Sequence, residues 1–143
     1  MKPVVSIIDT NIVIAGLITG DTSSPPALIL DAMLNGRFLY LMSAELLNEY
    51  ALVLRRPRLV HLHGLSDEEI DSLLSALVAN AIWREPTTPS KAPDPGDDHL
   101  WALLTSDAEC LLVTGDRLLV ENPPRSHSVI SARGFIDLHL LIA

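Results

Sequence analysis

The sequence predicts an α/β fold, with three α/β/α layers around a central, mainly parallel sheet. Three observations lead there. Short apolar runs alternate along the chain with helix-length segments, the order that βαβ units produce. The runs at 4–8, 38–42 and 111–113 are apolar on nearly every residue, as strands covered on both faces require. Hydroxyl caps, prolines and an Asn–Gly pair punctuate the segments between them. At 143 residues the chain reads as one domain, residues 1–143, long enough to bury a substantial core.

Taken in order, VVSII (4–8) is a buried strand and 11–19 the helix after it. Ser23–Ser24–Pro25–Pro26 opens a second helix: a hydroxyl caps it, and the prolines fall where a missing N–H matters least. That helix stops at Asn35–Gly36. Phe38–Met42 is a strand, Ser43 caps a helix running to about Arg56, and Pro57 ends it. The residues around His61 and His63 read as a loop. Ser66–Asp67–Glu68–Glu69 is a capping box for a helix to about Asn80. Ile82–Arg84 is a short strand, and PTTPSKAPDPG (86–96) is a proline-rich loop. Asp97–Thr105 is helical, Leu111–Val113 a strand, and Thr114–Gly115–Asp116 the turn after it. Val129–Ile130 is the last strand, and a helix over 134–142 closes the chain.

Hydrophobic residues make up 48% and charged residues 20%, the composition of a globular protein rather than a disordered one. No apolar run reaches the roughly 18 residues that span a bilayer. Asp9 also interrupts the only segment that could imitate a signal peptide, so neither a membrane nor export is expected. The single cysteine, Cys110, permits no internal disulfide and suits the cytoplasm; within CLLV it reads as a core residue. The five histidines are scattered, and no spacing suggests a zinc site. The net charge of −8 argues against a large nucleic-acid footprint. It allows a compact basic patch on an acidic body, or acids held near cations.

The positions of the acids sharpen that choice. Open α/β sheets bind ligands outside the carboxyl ends of their strands. Asp9 ends the first strand, and Asp116 follows the fourth by three residues. Each also has a plainer explanation, Asp9 as a helix cap and Asp116 as a turn residue. On SAELLNEYALVLRR (43–56) the apolar face is Leu46, Leu47, Tyr50, Val53 and Leu54. At about 100° per residue, Glu49 borders that face while Glu45 looks into solvent. On DDHLWALL (97–104), Leu100, Trp101 and Leu104 form the buried stripe. Asp97 projects along it, and Asp98 is displaced by about 100°. First-turn acids complementing the helix dipole would explain Asp97 and Asp98 equally.

Should Asp9, Glu49, Asp97 and Asp116 converge, two carboxylates about 5 Å apart would repel by roughly 3 kcal/mol at an effective dielectric of about 20. Nothing near them in sequence supplies enough lysine or arginine. A hard divalent cation would relieve the repulsion, and all-oxygen donors favour Mg²⁺ or Mn²⁺.

Three motifs in order then carry a resemblance: IIDTN (7–11), SAELLNEYALVLRRPRL (43–59) with an acid six residues after its serine, and DPGDDHLWALLTSDAECLLVTGD (94–116) ending in TGD. The chain resembles a PIN domain, the nuclease fold of many bacterial toxin–antitoxin toxins of the VapC kind. The resemblance implies an acidic quartet of Asp9, Glu49, Asp97 and Asp116. At the third place, counting back from Asp116 could select Asp98, while the helical phase favours Asp97. It implies polar support from Thr114 beside the last acid, and from Thr10 or Asn11 after the first.

The implied activity is Mg²⁺- or Mn²⁺-dependent endoribonuclease cleavage leaving a 5′-phosphate and a 3′-hydroxyl. Asp9, Asp97 and Asp116 would be the main metal ligands, with Glu49 binding a second metal or orienting the attacking water. Arg55, Arg56, Arg58 and Arg117 could guide the RNA backbone, although a solvated helix end would account for the first three. A homodimer and a cognate antitoxin are the partners implied. An RNA-processing nuclease without an antitoxin, and an inactive PIN-type binding module, are the competing expectations. A haloacid-dehalogenase phosphatase would need an acid where Asn11 stands, since asparagine cannot transfer the proton.

Overall fold

The computed structural model describes residues 4–140 of the chain. A five-stranded, all-parallel sheet runs through it in the order β3–β2–β1–β4–β5. The strands are β1 (Val5–Ile8), β2 (Leu39–Met42), β3 (Ile82–Trp83), β4 (Cys110–Val113) and β5 (Ser128–Ile130). From β1 the chain builds outward to β2 and β3, then crosses back to lay β4 against β1's other edge. That reversal makes the β1/β4 boundary the switch point of the sheet.

Helices α1 (Thr10–Ile18), α2 (Pro25–Leu34), α3 (Ala44–Leu54), α5 (Asp67–Ala79) and α8 (Ala132–Phe135) pack on one another. Helix α6 (Asp98–Thr105) lies against β1 and β4, and α7 (Arg117–Glu121) against β5. Right-handed crossovers put the β1–β3 connections and the β3–β5 connections on opposite faces of the sheet. Three layers result, as expected. The core lies on both sides of β1, where Ile7 and Ile8 are fully buried. A smaller cluster of Ile14, Leu54 and Ile70 joins α1, α3 and α5.

The caps follow the sequence. Ser24, Ser43 and Ser66 each accept a backbone N–H at the start of their helices, and Ser66 with Glu69 closes a capping box. Gly36 ends α2 with φ +63°, a conformation that only glycine adopts without strain. Three details differ from expectation. Pro57 ends α3 but also opens α4 (Pro57–His63), since a proline suits a first helical turn; Gly64 stops it at φ +69°. His63 is therefore a helix residue, and its ring contacts the Leu54 carbonyl at 2.8 Å. The five-residue α7 grows from the Asp116 turn, too short to show a periodicity. The closing helix is α8 followed by a wider turn over Ile136–Leu140, and the remainder of 134–142 lies outside the described residues.

Helices α1 and α2 approach closely at Gly16, where an added Cβ would stand 2.5 Å from the Pro26 carbonyl oxygen. Backbone cannot swing aside as a side chain can. Gly16→Ala is therefore expected to destabilise the fold by about 1–3 kcal/mol, read as a lower urea midpoint at unchanged slope.

Candidate metal centre

Strand pairing sets the geometry of the site. Ile8 is aligned with Val113, and the Asp9 N–H continues the ladder by donating to the Val113 carbonyl at 3.0 Å. Asp9 and Thr114 therefore leave adjacent strands at the same level. The Thr114 hydroxyl donates to Asp9 Oδ2 at 2.7 Å, and the Thr10 N–H donates to Oδ1 at 2.7 Å. Asn11 ties the two turns together: its Nδ2 reaches Asp9 Oδ2 at 3.3 Å, and its Oδ1 accepts the Gly115 N–H at 3.0 Å. Asp116, carried by the same turn, caps α7 by accepting the Leu118 N–H at 2.9 Å. The plainer reading of Asp9 as a helix cap and its place in the cleft are thus not exclusive, because one carboxylate has lone pairs for both; Asp116, expected as a turn residue, is a helix cap as well.

Glu49 arrives from α3. Buried Tyr50 beside it donates its hydroxyl to the Ile8 carbonyl, locking that helix to the end of β1. The Thr10 hydroxyl donates to Glu49 Oε1, and the His99 ring holds Oε2 at 3.1 Å. Asp97 is the residue that caps α6, after a tight turn over Pro95–Asp97. Its carboxylate makes no hydrogen bond among the described residues. Asp98 turns away and accepts the Ala92 N–H at 2.8 Å, which folds the 86–96 loop back on α6.

Asp9, Glu49, Asp97 and Asp116 line one open cleft of about 470 Å³, together with Thr10, Asn11 and Arg56. Asp98 does not border it. Of the other arginines singled out, Arg55 is bound to α5, with Asp71 at 2.6 Å and Asp67 at 3.6 Å. Arg58 is exposed on α4, and exposed Arg117 pairs with Glu121 at 3.3 Å. Neither is in the cleft wall.

The electrostatics show the strain of gathering these acids. Burial raises the pKa of Asp9, which is 4% exposed, against the lowering effect of the Thr114 hydrogen bond. Asp97 is pushed up to about 6, first by burial and then by the charges of Asp9, Asp94, Glu49 and Asp116. Glu49 is held below the usual carboxylate range, chiefly by His99, whose own pKa is raised in return.

A divalent cation fits this donor set in one specific sense. Among the described residues, no three His, Cys, Asp or Glu side chains stand together closely enough to grip an ion. The oxygens that face the cleft are all hard donors, and the Asp97 carboxylate has no competing partner. An ion that keeps several waters and takes one or two carboxylates, as Mg²⁺ does, suits such a place better than a closed tetrahedral site would.

His99 was not singled out in the sequence. With the stripe drawn through Leu100, Trp101 and Leu104, His99 falls on the far side of α6. Leu103, only about 40° from His99, is also fully buried, so the helix is covered on that side as well. That leucine was the available signal.

A family model described as PIN domain matches residues 5–118, a span that holds all four acids. The chain belongs to the PIN domain family. Members are generally metal-dependent nucleases. The PIN domain of RRP44 from T. brucei is similar in fold: TM-score 0.55 at 14% identity, over 95% of this chain and 80% of that one. No curated protein sequence matches the chain. No helix among the described residues of this PIN domain is long and apolar enough to cross a membrane.

The raised Asp97 pKa has a consequence for stability. Between about 3.8 and about 6 the folded protein holds a proton there that the unfolded chain has lost, so stability falls as pH rises through that window. Asp97→Asn removes the penalty. In EDTA the variant should melt about 1–3 °C above wild type at pH 7, the modest gain expected of a partly exposed group, and equal to it near pH 3.

Proposed function

We propose that this PIN domain is a Mg²⁺- or Mn²⁺-dependent endoribonuclease that hydrolyses RNA phosphodiester bonds, and that it serves in the cytoplasm as the toxin of a toxin–antitoxin pair. The reading rests on one observation: Asp9, Glu49, Asp97 and Asp116, drawn from four separate parts of the chain, line a single cleft at the carboxyl edge of the sheet. Asp9, Asp97 and Asp116 would hold the cation directly or through water, with Glu49 as a further ligand or as the group orienting the nucleophile. Asp98, committed to the loop, is set aside as the third acid. A bound divalent ion supplies charge neutralisation at the phosphate and a more acidic water.

The chain's own residues do the rest. Thr114, Thr10 and Asn11 hold Asp9 with its oxygens fixed toward the cleft, so little reorganisation is needed when substrate arrives. Arg56, at the cleft wall, is placed to meet a phosphate of the RNA backbone. Arg58 and Arg117 are exposed candidates outside the cleft wall, Arg117 paired with Glu121, while Arg55 is occupied in tying α3 to α5. The 86–96 loop borders the neighbouring cavity of about 410 Å³ and is the natural place for RNA selectivity.

Purified protein incubated with RNA in Mg²⁺ or Mn²⁺ should cleave it, and EDTA should stop it. Asp9→Asn and Asp116→Asn should each lose about 100-fold or more in rate. Cleavage persisting in those variants would belong to a contaminant, and a folded wild type without metal-dependent cleavage would leave the inactive binding module.

Arg56→Ala should weaken RNA binding across sequences and reduce the salt slope by about one unit, measured by anisotropy at two ionic strengths. The toxin role depends on a partner. A short neighbouring reading frame encoding a basic, DNA-binding antitoxin would support it, whereas an isolated gene would favour an RNA-processing nuclease.

A further inference from the structure

Glu49 is a long side chain whose free rotation would blur any site it served. Ordering such a side chain costs rotamer entropy. Here both of its oxygens are already held. The Thr10 hydroxyl from α1 takes Oε1, and His99 Nε2 from α6 takes Oε2 at 3.1 Å. A carboxylate is acceptor only, so the bond to Oε2 requires His99 to carry its proton on Nε2. The ring cannot turn away cheaply. Its side chain is only 11% exposed, and Nδ1 is buried without a partner, so the contact to Glu49 is the ring's sole polar anchor among the described residues.

His99 also lies on the partition between two spaces. On one side Glu49 faces the acidic cleft; on the other His99 borders the cavity formed with Ser43, Glu45 and the 86–90 segment. Each carboxylate oxygen keeps a lone pair beyond the one used by Thr10 or His99, so the clamp leaves Glu49 able to accept a cation. We infer that His99 is a positioning residue: its Nε2–H fixes the Glu49 carboxylate for cation binding in the cleft. The inference rests on the metal-dependent reading above and adds a residue to it.

The test uses the full chain and Mn²⁺ alone, followed by electron paramagnetic resonance. His99→Ala should weaken Mn²⁺ binding about tenfold, as loss of a partner behind a metal ligand typically does. His99→Gln, whose amide N–H can still donate, should recover to within about threefold of wild type. Glu49→Ala should cancel the effect, so that the double variant binds no worse than Glu49→Ala by itself. Nitrogen-15 spectra of the metal-free protein should show His99 protonated at Nε2.

Equal Mn²⁺ affinity in wild type and a folded His99→Ala would overturn the inference and leave the metal site standing. A His99→Gln as weak as His99→Ala, or an Nδ1-protonated ring with Nε2 bare, would overturn it too. A wild type that binds no Mn²⁺ would instead remove the metal reading itself, and the positioning role with it.

Discussion

Parallel pairing of β1 with β4 is the constraint on which the rest of the site depends. It aligns Ile8 with Val113, so both strands end at one level and release Asp9 and Thr114 side by side. The Thr114–Asp9 hydrogen bond and the Asn11 bridge to Gly115 then close the seam where the sheet reverses its direction of growth. At such a switch point the crossovers depart on opposite sides of the sheet, which leaves a crevice at the strand ends. An acid placed there is rigid at its base and open at its tip.

Rigidity and openness pull against each other electrostatically. Burial alone would favour a neutral Asp9, and burial followed by the accumulated charge raises Asp97 to about 6. Donors already in the fold offset part of this: the Thr114 hydroxyl at Asp9, and His99 with Thr10 at Glu49. Asp97 has no such help. Its position as the cap of α6 holds against the others a carboxylate with no hydrogen-bond partner among the described residues, which stores a demand for positive charge rather than relieving it. Such stored demand marks functional sites more often than structural ones.

Much of the architecture could be read along the chain because it is written in local signals. Caps at Ser24, Ser43 and Ser66, the stop at Gly36 and the apolar runs of β1 and β4 each depend on a few adjacent residues. What local pattern misses is what depends on length or on a second segment. Pro57 both ends one helix and begins another, and only α4's packing against α1 and α3 shows the second role. Helix α7 is too short for a periodicity to emerge. His99 lay on the side of α6 that the stripe of Leu100, Trp101 and Leu104 left out, and its partner comes from a helix fifty residues earlier in the chain.

The amino-acid sequence by itself determined the α/β class, the strand-then-helix order and the residue types at the strand ends, since these follow from hydrophobic period, capping chemistry and backbone preference. It also left Asp97 and Asp98 as alternatives, and grouped four arginines as candidates for the RNA backbone. Tertiary structure gave them different surroundings. Asp98 was drawn to the Ala92 N–H by the closing loop, Arg55 to Asp71 on α5, and only Asp97 and Arg56 were left in the cleft wall. The physical reason is that a charged side chain goes to its nearest satisfying partner in space, and that partner is chosen by how the elements pack.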